Sequence, residues 1–107
     1  MAKNGLPIVA ELERLRRMLT KDYILLARVG DWWEAFGEDA VAASPLLGAT
    51  LTARADVPMC GVPHHAIDTA LAKLVRAGRS VALVGLDGEC RRVITRIVTP
   101  GVPMEVA

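Results

Sequence analysis

The sequence predicts an α/β domain, a mixed β-sheet flanked by helices. Three observations carry that reading. Apolar residues recur at helical spacing over residues 8–19 and again over 65–77. Between them, Tyr23 to Val29 is a nearly continuous apolar run ended by Gly30-Asp31, the mark of a strand buried on both faces. Near the end, residues 80–86 and 92–99 flank Asp87-Gly88, a strong hairpin signal. Strands mixed with helices in one short chain give the α/β class.

The elements follow in order. Val9, Leu12, Leu15 and Leu19 share one face of the first helix, and Pro7 stands just before it, where a missing N–H is harmless. After the buried strand 23–29, Glu34 to Ala43 has helical composition, with Pro45 stopping or restarting it. Ala49 to Ala53 reads as a short strand. Pro58, Gly61 and Pro63 then predict an irregular loop. Ile67, Leu71, Leu74 and Val75 make the next helix, with Gly78 as its stop. Ser80–Leu86 and Arg92–Thr99 form the closing hairpin, and Pro100-Gly101-Val102-Pro103 reads as the start of a linker. The division is an N-terminal tail over 1–7, one domain over 8–102 and a C-terminal tail over 103–107.

Composition bounds the function. At 107 residues with 52% apolar content, the chain folds as one domain, not as a disordered segment. Aromatic residues make up only 4%, so the core comes from aliphatic side chains. A net charge of +1 draws the whole molecule neither to nucleic acid nor to a membrane, so such binding needs a local patch. There is no apolar run of transmembrane length and no leader-like N-terminus, which makes the cytoplasm the expected location. Cys60 and Cys90 give neither a disulfide framework nor zinc spacing, and no phosphate-binding G-x-x-x-x-G-K-[ST] loop is present.

Charge is nevertheless uneven. Asp31, Glu34, Glu38 and Asp39 form an acidic group with no base among them. Residues 70–100 carry Lys73, Arg76, Arg79, Arg91, Arg92 and Arg96 against Asp87 and Glu89, a net of +4. A solvated helix face and hairpin tip explain this as well as a binding patch does. The adjacent His64 and His65 lack a Cys or Asp to complete a metal site, and His65 reads as a helix-start residue.

Five stretches, in order, carry a resemblance. Arg28-Val-Gly-Asp-Trp-Trp-Glu-Ala-Phe with Asp39-Ala40 is similar to R-x-G-D-F-Y-E-x-F-x-x-D-A. Leu51-Thr52 with Arg54 is similar to L-T-x-R, and Pro58 to Ala66 to P-M-x-G-[IV]-P-x-H-A. Leu71 to Val75 with Gly78 is similar to L-x-K-L-[IV]-x-x-G, and Arg96 to Gly101 to R-x-[IV]-T-P-G. Together they resemble the mismatch-recognition domain, domain I, of the MutS DNA mismatch repair family, over nearly the whole chain. In that family the connector, lever, clamp and ATPase domains follow. The expectation is therefore this domain alone, not an enzyme, without the ATPase or ATP binding and with no cofactor or metal.

The resemblance implies specific roles. Trp32 takes the place of the family's Phe, which enters the minor groove and stacks beside a mispaired base. A wedge of this kind unstacks a base step for a few kcal/mol and gains a bent contact surface. A mismatch is already weakly stacked, so the wedge costs less there. Two adjacent tryptophans after a strand cannot both point inward, so Trp32 is expected exposed and Trp33 in the core, with Phe36. Glu34 is the base-contacting glutamate; it also stands in the expected first turn of a helix, where the dipole favours an acid. The Met59–Pro63 loop, with Gly61 permitting close backbone approach, lies beside the wedge. Arg54, Lys73, Arg76 and Arg79 are phosphate-contact candidates. The implied partner is double-stranded DNA carrying a mismatch or distortion, with other mismatch-repair proteins as further partners and no membrane. A protein-interaction module that keeps the fold without reading mismatches is the alternative. A metal-dependent nuclease built on Asp31, Glu34, Glu38 and Asp39 is the third reading.

Overall fold

The computed structural model describes residues 6–101. The expected tails at 1–7 and 103–107 fall outside that span except for Leu6 and Pro7, as do Val102 and Pro103 of the expected linker. Three helices, one 3-10 turn and six strands follow in the order α1 (Pro7–Arg16), β1 (Ile24–Val29), β2 (Trp32–Phe36), α2 (Glu38–Leu47), β3 (Thr52–Arg54), β4 (Val57–Pro63), the turn His64–Ala66, α3 (Ile67–Arg76), β5 (Val81–Leu86) and β6 (Arg92–Val98). The strands make one sheet in the order β3-β4-β2-β1-β5-β6. Only β1 and β5 run parallel; the other pairings are antiparallel. The mixed α/β sheet is as the sequence predicts. Among the described residues no helix is long and apolar enough to cross a membrane.

β1 is the spine. Ile24 to Ala27 are at most 1% exposed, so the strand is covered on both faces. Side chains alternate across a strand, and two cores result. On one face Ile24, Leu26, Trp33 and Ala35 pack with Ala40, Ala43 and Leu47 of α2 and with Ala70, Leu71 and Leu74 of α3. On the other, Leu25, Ala27, Phe36, Ala82 and Val84 pack with Leu12 and Leu15 of α1. Two hydrogen-bonded ion pairs tie α1 down. Arg16 Nη2 donates to Asp39 Oδ2 at 2.6 Å, and Arg92 Nε donates to Glu11 Oε1 at 2.7 Å. Asp39 also accepts from the Leu25 backbone N–H at 3.0 Å. Burial pushes the Asp39 carboxyl above its ordinary range, against the pull of the Arg16 and Leu25 bonds.

Two expected elements are corrected. Residues 34–36 are not helical: they belong to β2, which pairs with β1 on one side and β4 on the other, and α2 starts only at Glu38. Two ladders and an aromatic-rich segment outweigh the helical composition of 34–43. Pro45 does not stop the helix, which runs on to Leu47. It removes only the bond that would reach the Val41 carbonyl. The expected loop around Pro58, Gly61 and Pro63 is the strand β4. Proline in an inner strand is unusual. Here the Pro58 carbonyl accepts from Gly37 N–H at 2.8 Å, just beyond the end of β2, so the missing Pro58 N–H opens no gap in that ladder. The closing hairpin is also wider than a two-residue Asp-Gly turn. Leu86 pairs with Arg92, and residues 87–91 form the loop. Asp87 Oδ1 accepts from Glu89 N–H at 2.8 Å and Arg91 N–H at 2.9 Å.

Candidate functional site

α1 covers only part of its face of the sheet. Phe36, Val57 and Met59 still pack against its cluster, but the Trp32–Glu34 end of β2 with the facing parts of β4 and β3 lies beyond it, and the candidate residues gather there. Gly30-Asp31 joins β1 to β2 with Val29 opposite Trp32, and Gly30 alone of the two loop residues has positive φ, the pattern of a II′ hairpin turn. Arg28 braces the turn, its Nε donating to Gly30 O at 2.6 Å. The His64 backbone N–H donates to Asp31 O at 2.7 Å, which joins the tip to the end of β4.

The two tryptophans part as expected. Trp32 is 47% exposed and Trp33 is 7% exposed. Trp33 Nε1 donates to His64 Nδ1 at 2.9 Å, its ring stacks on that imidazole, and the Arg28 guanidinium lies 5.7 Å from the ring centre. The indole N–H is therefore satisfied, as a buried tryptophan requires. His64 and His65 stand in the 3-10 turn leading into α3.

Trp32, Glu34 and Phe36 share the face that Trp33 does not, and the register sets Glu34 opposite Gly61 and Phe36 opposite Met59. Thr52 is opposite Met59 on the far side of β4. A cleft of about 400 Å³ results, lined by Trp32, Glu34, Thr50, Thr52, Met59 and Gly61. Gly61 is needed for close approach. A Cβ there would stand 3.0 Å from Trp33 O and 3.1 Å from Glu34 Cγ.

Glu34 is a buried carboxylate on a strand, not the helix-start acid its sequence neighbourhood predicts. Its Oε2 lies 3.3 Å from Arg54 Nη2, while Oε1 is buried with no hydrogen-bond partner. Arg54 is held in turn over Phe36, 5.9 Å from the ring centre. The β3–β4 turn that delivers Arg54 uses Ala55 and Asp56, both at positive φ.

The remaining candidates lie elsewhere. Lys73 and Arg76 are exposed on α3, which packs on the opposite face of the sheet. Arg79 sits beside the start of β1, where Ile24 N–H bonds Ser80 O, whereas Trp32 pairs with Val29 at the end of β1. That separates them by roughly 17 Å of strand. The acidic group is likewise dispersed. The Asp31 side chain is 99% exposed, Glu34 pairs with Arg54, and Asp39 pairs with Arg16. Among the described residues no three His, Cys, Asp or Glu side chains are placed to hold a metal. The nuclease reading thereby loses its geometric basis. Thr50 and Thr52 are the cleft residues that sequence reasoning did not assign to the site. Their spacing from each other and from Arg54 was the available signal, since alternate residues of an extended segment share a face.

Comparison with known proteins agrees with this arrangement. The description of MutS domain I matches residues 12–106. The DNA mismatch repair protein MutS of Thermotoga maritima is 45% identical over 102 residues, which is 89% of this chain and 13% of the relative. The MutS of Porphyromonas gingivalis is 50% identical over 93 residues, 76% of this chain and 10% of the relative. That of Methanothrix thermoacetophila is 40% identical over 114 residues, 94% of this chain and 13% of the relative. The chain thus spans about a tenth of the length of the curated relatives it matches. With six strands, three helices and the five motifs on one match covering most of its residues, the chain belongs to the MutS domain I family.

Proposed function

We propose that the chain recognises mispaired or distorted duplex DNA, with Trp32 as an aromatic minor-groove wedge and Glu34 as the group that meets the displaced base. Met59 and Gly61 form the cleft floor beside them, and Arg54 stands at its rim. The role is recognition, with no bond made or broken. The relatives are named as mismatch repair proteins, and the reading takes this chain's DNA target, and further repair proteins as partners, from that likeness.

One observation supports it most. Glu34 lines an open cleft next to a half-exposed indole, and its Oε1 is buried without a hydrogen-bond partner. An unsatisfied buried polar atom costs about 1–3 kcal/mol, and a base edge lying in the cleft supplies the missing hydrogen bond. The indole supplies the stack. Lys73 and Arg76 are not carried into this site, because a duplex resting on Trp32 meets the face of the sheet opposite α3, and Arg79 is not, because it lies at the other end of β1.

Fluorescence anisotropy on matched duplex, single-mismatch duplex and single strand tests the reading at one salt concentration. Roughly micromolar or weaker binding is expected near physiological salt. Trp32→Ala loses about 1–3 kcal/mol of binding, the range of one base–aromatic stack. Glu34→Ala narrows the gap between mismatched and matched duplex. If Trp32→Ala binds all three as the parent does, the mismatch reading is wrong and the interaction-module alternative replaces it.

A further inference from the structure

We infer that Arg54 is the positioning residue of the mismatch site, holding the Glu34 carboxyl group in place through one of its oxygens, and not one of the phosphate contacts. The inference rests on the mismatch reading above and assigns the rim residue a part in discrimination. The Arg54 guanidinium is 3.3 Å from Glu34 Oε2. Its other neighbour is the Phe36 ring, whose face attracts a cation. Among the described residues Arg54 is the only base within ion-pair distance of Glu34.

The division of labour within the carboxylate follows. Arg54 occupies Oε2, and Oε1 is left buried and unpartnered in a residue that lines the cleft. Gly61 leaves the room in which Glu34 Cγ lies, so the side chain is confined from that side as well. An ionised carboxylate only accepts hydrogen bonds. Glu34 is thereby set to accept from an N–H on the edge of an unpaired base and to repel the acceptor-rich floor of an intact minor groove. Without Arg54, a buried carboxyl group beside Trp32, Thr50, Thr52 and Met59 has no partner to hold its direction.

The two possible roles of Arg54 differ in what they do to binding. A phosphate contact strengthens all duplexes alike and adds about one unit to the salt slope. A positioning residue changes the ratio between duplexes and leaves the slope alone. The experiment measures the affinity of the parent, Arg54→Ala, Arg54→Lys and Trp32→Ala for a labelled duplex with one G·T mismatch and for its matched counterpart, across a salt series. A thermal melt of each variant accompanies it. Arg54→Ala is expected to reduce the preference for the mismatch roughly tenfold, the scale of a hydrogen bond to a charged group, at an unchanged salt slope. Arg54→Lys, which keeps the charge, is expected to restore part of the preference. An equal loss on both duplexes with a slope smaller by about one overturns the inference in favour of a phosphate contact. An unchanged preference in Arg54→Ala, while Trp32→Ala still loses binding, overturns this inference alone. If Trp32→Ala changes nothing, the mismatch reading falls and the role of Arg54 falls with it. Should Arg54→Ala fail to fold, Arg54→Gln, which removes the charge and keeps most of the side chain, takes its place: a salt slope reduced by about one decides against the inference, and an unchanged slope with a reduced preference decides for it.

Discussion

The same face of one sheet is closed at one side and open at the other. Over β1 and β5, Leu12 and Leu15 of α1 cover Leu25, Ala27, Ala82 and Val84. Over β2 and β4 no helix lies on Trp32, Glu34 and Gly61, and a cleft remains. The strands differ little; the cover differs. In the covered part the side chains are aliphatic and satisfied by packing. In the open part a ring is half in water and a carboxylate oxygen lacks a partner. The packing lies under the helix, and the proposed recognition site lies where no helix covers the sheet.

Stripping the cover is the most severe way to test that contrast. Leu15 is 3% exposed, and Leu15→Ala is expected to cost about 2–4 kcal/mol of stability. Trp32→Ala in the open part is expected to change stability by less than about 1 kcal/mol. Chemical denaturation of both variants measures the two values, and similar losses would erase the distinction.

A smaller effect comes from the clamp that holds the cover. Asp39 accepts from Arg16 of α1 and from Leu25 of β1. Asp39→Ala leaves a partly buried guanidinium and a backbone N–H without their acceptor, at a cost of about 2–3 kcal/mol. Thermal melts read it, and Trp32-dependent DNA binding below the melting range should survive.

The smallest effect is confined to the hairpin beyond the covered part. Hydrogen bonds from the Arg91 and Glu89 backbone N–H groups hold the Asp87 carboxyl below its ordinary value. A depressed folded-state value means that the loop gains order above the ordinary aspartate range and loses it as pH falls through about 4 and below. Amide exchange at Glu89 and Arg91 should accelerate over that window in the parent. In Asp87→Asn the acid-dependent step should be absent.

These contrasts also explain what the sequence disclosed. α1, α3 and β1 were readable because their apolar residues repeat at the period of the element, and the buried run 24–27 had only one structural solution. β2 and β4 were not. Glu34 breaks the apolar pattern of β2, and Pro58 and Pro63 are residues that inner strands avoid. Long-range pairing overrides those local signals. The site residues on β2 and β4 were named through their motifs, but that Gly61 lies against Glu34, and that Arg54 closes the pair, follows only from the register. The α3 cations stand apart from the cleft for a reason the sequence does not show. A run of bases along the chain says nothing about which face it occupies, and the Ala70, Leu71 and Leu74 stripe turns α3 onto the far side of the sheet.

The unequal surroundings of neighbouring indoles give the molecule a built-in optical report. Trp33 is enclosed and bonded to an imidazole, whereas Trp32 stands nearly half in solvent. Indole emission moves to longer wavelength in water, and only the solvated ring is open to a dissolved quencher. The red edge of the spectrum thus belongs to Trp32, the proposed wedge, and the blue edge to Trp33 in the interior. A base stacked on Trp32 dims the red edge alone, while loss of the fold moves the blue edge. Occupancy of the site and integrity of the core are separable in one unlabelled sample.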